Sequence, residues 1–337
     1  MSRSAVSALV LAACLGLLLV LAPQIPLALF GAAMLAVVWR TAGAAIARRT
    51  GLGEGMATAG VMALVGLALA AGLVFGAAML VEQWSDLMRL LPRGLEAVRE
   101  LLAGLPGGEA LLGAAEDFLR EGPEDAAGVL ARLGLGTANA LLAVLLVLVA
   151  SVYLAAMPGL YQAGLVRLFA PPLREEARIA LGAGGRALRG WLWAKGVSML
   201  VIFLGVWAGL TLIGMPNAFA LAVIAGLFEF VPYVGAIASA VPALLVALAA
   251  GGDMVLWVLA LYLAVQAIEA NVVEPLAQYA GARVPPVLVL ASQTLMGLLF
   301  GLPGIILATP LVATLLGIIR CSYVERWLEA PEPPPPA

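Results

Sequence analysis

Apolar residues in this chain fall into long, even runs, and polar residues gather in a few segments between them. Residues 5–22 and 25–39 are two such runs, separated by Pro23 and Pro26, and they predict a hairpin of two membrane helices. A cleaved signal peptide starting at Arg3 is the competing reading of 5–22, but the immediate turn into a second run favours the hairpin. Residues 56–81 predict a third span, rich in Ala and Gly that permit close helix packing. A fourth follows at 137–157, a fifth at 191–213 with Trp191 and Trp193 at its expected interface, and a sixth at 254–270.

Two apolar stretches do not fit ordinary spans. As one straight helix, 217–250 would rise roughly 50 Å, well beyond a ~30 Å hydrocarbon core. Pro232, Tyr233, Val234 and Gly235 interrupt it, with Glu229 just before the break. The two arms, 218–231 and 236–250, are each only ~21–23 Å long. The stretch therefore folds back, with proline ending the first helix and Gly235 taking the strained angles. Asn217 reads as the N-cap of the first arm. The pattern recurs at 285–300 and 305–320, joined by Gly301, Leu302, Pro303 and Gly304. Short broken helical pairs entering from opposite faces are the sequence pointer to a transporter. The fold class is all-α: a polytopic membrane protein of about six full spans plus two re-entrant hairpins, with a helical segment outside the bilayer.

Charge gives the orientation. Segment 40–55 carries Arg40, Arg48 and Arg49 against Glu54, and 158–190 carries five arginines against Glu175 and Glu176, so the nets are +2 and +3. Segment 82–136 carries ten acids and five arginines, net −5. The positive-inside rule places both termini and the two basic segments in the cytoplasm and 82–136 outside. Single cysteines at Glu109 and Arg178, in a background lacking Cys14 and Cys321, test this: an impermeant thiol reagent labels the first in intact cells, and labelling of the second alone overturns the orientation. Leu87, Leu91, Leu95, Val98 and Leu102 recur at helical spacing in the acidic segment, and the stripe suggests a homo-oligomer contact. The chain thus divides into 1–81, membrane helices; 82–136, an outer amphipathic segment; 137–213, helices with a basic interfacial segment at 158–190; 214–320, a core with both hairpins; and 321–337, a Pro-rich tail.

Composition narrows the chemistry. Of 337 residues 64% are apolar and 11% charged, with a mean hydropathy of +1.08, which marks an integral membrane protein. There is no histidine, so His-ligated metals and Ser-His or Cys-His catalysis drop out, and any proton coupling falls to carboxylates. No phosphate-binding loop, metal-ligand cluster or basic tract occurs, which predicts no enzyme activity, no cofactor, no metal and no nucleic-acid partner. Glu229 is the first candidate for a solute or ion pathway, since a charge at membrane depth needs a cavity or a partner. Glu269 and Asn271, with Gln266 one turn earlier, come next, and Tyr233 offers a hydroxyl to a polar solute. Glu274 and the turn residues Pro232, Gly235, Gly301, Pro303 and Gly304 read as surface and geometry respectively.

The stretch IGMPNAFALAVIAGLFEFVPYVGAIASAVPALLVALAAG, followed by QAIEANVVEP and LFGLPGIILATPLVATL, resembles the autoinducer-2 exporter family of bacterial membrane proteins. The similarity is strongest over 190–320. It departs at Ala236, where the family usually continues with proline, and at Pro285-Pro286, where a polar residue often precedes the proline. The resemblance implies a multi-pass transporter of the bacterial cytoplasmic membrane, exporting a small polar metabolite such as autoinducer-2 by alternating access. A sodium or lithium/proton antiporter is the alternative, with H+ or Na+ as partner. A non-transporting membrane scaffold is the alternative of another class, and short broken spans give it no purpose.

Overall fold

The computed structural model of the chain describes residues 16–17, 21–71, 86, 90, 93–94, 96, 98–99, 138–273, 275 and 284–328. These are helical apart from short turns, with no strand among them. They divide into two compact units, one of Met1–Gly66, Leu142–Leu192 and Ala280–Ala337, the other of Leu67–Leu141 and Trp193–Tyr279. Four described helices are long and apolar enough to cross a bilayer, or five if a pair bent by 91° counts as one span. Most of the expected run at 5–22, the end of the third span, most of 82–136 including Glu109, Glu274, and the tail beyond 328 lie outside the described residues.

In the first unit, α1 (Gln24–Thr50) starts behind Pro23 and continues well past residue 40. The basic segment 40–55 is thus mostly helix and not a loop, because nothing in it breaks one. Arg48 and Arg49 suit the negative C-terminal end, and Gly51 closes it at φ 72° with its N–H on the Ala47 carbonyl. α2 (Glu54–Ala71) follows after a short turn, and a Cβ on Gly43 would run into the Thr58 backbone. Trp39 donates to Ser151 at 3.1 Å, on α3 (Ala138–Ala156), and Arg40 reaches Glu54 at 3.2 Å and the Ala155 carbonyl at 3.3 Å. The short α4 (Pro158–Arg167) turns sharply away behind Met157.

The basic segment 158–190 and the fifth span were expected as separate pieces. Instead α5 runs unbroken from Arg174 to Ile213, 40 residues, with no proline between Pro172 and Pro216 to stop it. Its residues to Leu192 belong to the first unit and those from Trp193 to the second. Trp191, expected at an interface, is 7% exposed, whereas Trp193 is exposed.

The second unit is built from the rest of α5, α6 (Ala218–Phe228), α7 (Val234–Ala250) and α8 (Gly252–Ile268). Val206, Leu210, Leu221, Val246 and Val258 are fully buried at its centre. Leu90 packs against that core, and Gly94 lies where a side chain would strike the Leu245 carbonyl, so part of segment 82–136 is covered by its own chain. Leu87, Leu91, Leu95 and Leu102 of the expected stripe lie outside the described residues.

The first hairpin turns where the apolar run is interrupted, but by different means from those expected. Gly235 has no positive φ; it is small because the Phe228 carbonyl occupies the space of a Cβ. The left-handed residue is Tyr233, at φ 63° and ψ −55°, and Val234 N–H bonds the Pro232 carbonyl at 2.7 Å. This is a γ-turn of the strained kind. Asn217 stands at the N-cap position, also with positive φ, and its side chain makes no capping bond.

The second hairpin, in the first unit, is α9 (Pro286–Ile319), broken at Gly301 with φ 62° and ψ −145°. A Cβ on Gly304 would strike the Met296 carbonyl, and one on Gly297 would sit 2.9 Å from Ile305. Residues eight apart in one straight helix stand ~12 Å apart along the axis, so these contacts require the arms to fold back. Gly304, expected as a strained turn residue, is a contact residue.

Candidate functional site

Two helix ends and one helix flank meet inside the second unit. Glu229 caps the C-terminus of α6, and Glu269 ends α8 and opens a short π-helical stretch, Glu269–Val273. Both carboxylates therefore sit at the partially negative end of a helix, where the backbone disfavours them. The compensating charge comes from α5. Lys195 Nζ donates to Glu229 Oε1 and lies 3.8 Å from Glu269 Oε1. Ser198, three residues on and hence on the same face, donates to Glu269 Oε1 at 3.0 Å.

The group is shielded from solvent. Glu229 is 3% exposed and Lys195 9%, with Ser198 buried and Glu269 half-buried. With every group ionised, two carboxylates and one ammonium leave one negative charge. Such a site holds one further positive charge at little electrostatic cost, and its oxygens supply the ligands. π-helical turns are frequent at functional sites, and here one begins at Glu269.

Of the residues singled out from the sequence, Glu229 and Glu269 come together. Asn271 does not join them: it is exposed and donates back to the Ala267 carbonyl at 2.8 Å. Gln266 is half-buried on α8, and Tyr233 is exposed at the turn. Lys195 and Ser198 were missed. Lys195 carried a legible signal, since it is the single lysine in the chain and lies within an apolar run.

Comparison with known proteins adds the family. The model of the AI-2E family transporters matches residues 8–322. The chain belongs to that family. Its relatives include proteins named as putative transport proteins: MT0215 of Mycobacterium tuberculosis (strain CDC 1551 / Oshkosh), 33% identical over 148 residues, 44% of this chain and 40% of that protein. YrrI of Bacillus subtilis (strain 168) is 32% identical over 36% of this chain and 35% of that protein. YhhT of Escherichia coli (strain K12) is 35% identical over 38% of each. The matched region thus spans well under half the length of these relatives. Family membership and several long apolar helices make this chain a multi-pass membrane protein of a transporter family.

Proposed function

We propose that the chain is a secondary transporter that exports a small polar metabolite, autoinducer-2 being the first candidate, across the bacterial cytoplasmic membrane by alternating access. Glu229 and Glu269 take the coupling ion. The supporting observation is the Lys195–Glu229–Glu269–Ser198 group, a charged cluster that ties the ends of two apolar helices, α6 and α8, to the flank of α5. Ionisable side chains kept inside membrane segments mark ion and substrate paths by default. The second reading, a sodium or lithium/proton antiporter, is favoured by the single uncompensated negative charge, which matches one proton or one alkali cation. Both readings place the termini in the cytoplasm, and both are compatible with a homo-oligomer.

Proteoliposomes with imposed proton or sodium gradients test the proposal. Glu229→Gln keeps the shape and removes the charge. It is expected to abolish ion-coupled flux of autoinducer-2, or of sodium against protons, while insertion and particle size stay unchanged. Normal flux of this variant across a range of pH would move coupling to Glu269 or away from carboxylates altogether.

A further inference from the structure

The second hairpin holds a polar pair that the charged cluster does not use. Gln293 is 4% exposed and Thr309 2% exposed, one on each arm of α9. The Gly297–Ile305 contact fixes the register of the arms. Gln293 stands four residues before Gly297, and Thr309 four residues after Ile305. One helical turn from that contact, on the facing sides of antiparallel arms, the two side chains therefore share a level.

Thr309 behaves unlike the other described threonines. Thr41, Thr50, Thr58, Thr211, Thr294 and Thr314 each donate to the carbonyl four residues back. Thr309 Oγ1 is buried with no hydrogen-bond partner among the described residues. A buried hydroxyl left unpaired costs about 1–3 kcal/mol. The next residue adds to the polarity: Pro310 has no N–H, so the Ile306 carbonyl lacks its helical donor. No Asp, Glu, Lys or Arg occurs between Arg283 and Arg320.

We infer that Gln293, Thr309 and the Ile306 carbonyl form a neutral subsite for an uncharged, polyhydroxylated solute. Hydroxyls of the solute donate to that carbonyl and to Thr309, and the Gln293 amide can both donate and accept. Broken helices in transporters leave backbone groups free to line a cavity or bind a transported species. The inference rests on the reading that the chain carries a small polar solute, and it separates that solute from the ion held by Glu229 and Glu269.

Binding of tritiated D-ribose and tritiated glycerol to the full chain in nanodiscs tests it, with 22Na+ as the charged control. Thr309→Val keeps the shape and is expected to weaken polyol binding by about tenfold or more, as is Gln293→Leu, because each leaves the solute's hydroxyls unpaired. Thr309→Ser is expected to bind within about twofold of the natural protein, since the hydroxyl remains. None of the three should alter 22Na+ binding. Unchanged polyol binding in Thr309→Val overturns the subsite, as does loss of 22Na+ binding in its place. Failure of the natural protein to bind either polyol also overturns it. Ion-coupled flux measured for Glu229→Gln then judges the transport reading separately.

Discussion

Replacing Lys195 by methionine is expected to lower stability by roughly 3–5 kcal/mol, and adding Glu229→Gln to restore most of the loss. The single substitution leaves two carboxylates facing each other at the negative ends of α6 and α8, with no cation between them. The double substitution removes the charge that Lys195 bonds directly and leaves a neutral Met–Gln contact beside one carboxylate, Glu269, which Ser198 still bonds, so two facing buried charges no longer go uncompensated. Thermal unfolding of the detergent-purified variants measures both steps. If Lys195→Met unfolds at the natural temperature, the ammonium is solvated and the cluster is not a dry one. A double variant no more stable than the single one would show that Lys195 acts through Glu269 instead.

Alanine at Gly235 or Gly304 is expected to be comparably damaging to the fold. In each case the new methyl meets a backbone carbonyl oxygen, that of Phe228 or Met296, and a main-chain atom inside a packed hairpin cannot step aside. Each hairpin then has to open, at about 3 kcal/mol or more. Gly60→Ala is the control, because it lies in α2 with open space around it and gains helix propensity. Extraction followed by size-exclusion chromatography reads the outcome: low yield or aggregation for the first two, a normal peak for the third. Normal peaks for all three would mean that the arms stand too far apart for a methyl group to matter.

The hairpins were legible because their arms are too short to be spans and because proline and glycine interrupt them. How they turn was not legible. A glycine beside a turn can serve φ or serve close approach, and local sequence does not distinguish the two. At Gly235 and Gly304 a facing carbonyl decides for close approach, while Tyr233 and Gly301 take the positive φ. The unbroken α5 was missed because its polar first part and apolar second part differ in composition. Helical hydrogen bonding is indifferent to that change. At the site, Glu229 and Glu269 stood out as carboxylates in apolar surroundings, but their juxtaposition depends on two helix ends distant in sequence. Asn271 shared their composition yet projects away, because the π-helical stretch alters the facing of residues after Glu269.

The two hairpins differ in how comfortably they turn. Gly301 adopts its angles at no steric expense, so that bend is relaxed. Tyr233 holds a conformation that typically stores about 1–3 kcal/mol. At ~1.4 kcal/mol per tenfold change in an equilibrium constant, that reservoir is worth up to about two decades in the ratio of any two states that differ in whether the tyrosine has relaxed. The first hairpin is in this sense a cocked spring beside a resting one, and the tension sits four residues from Glu229.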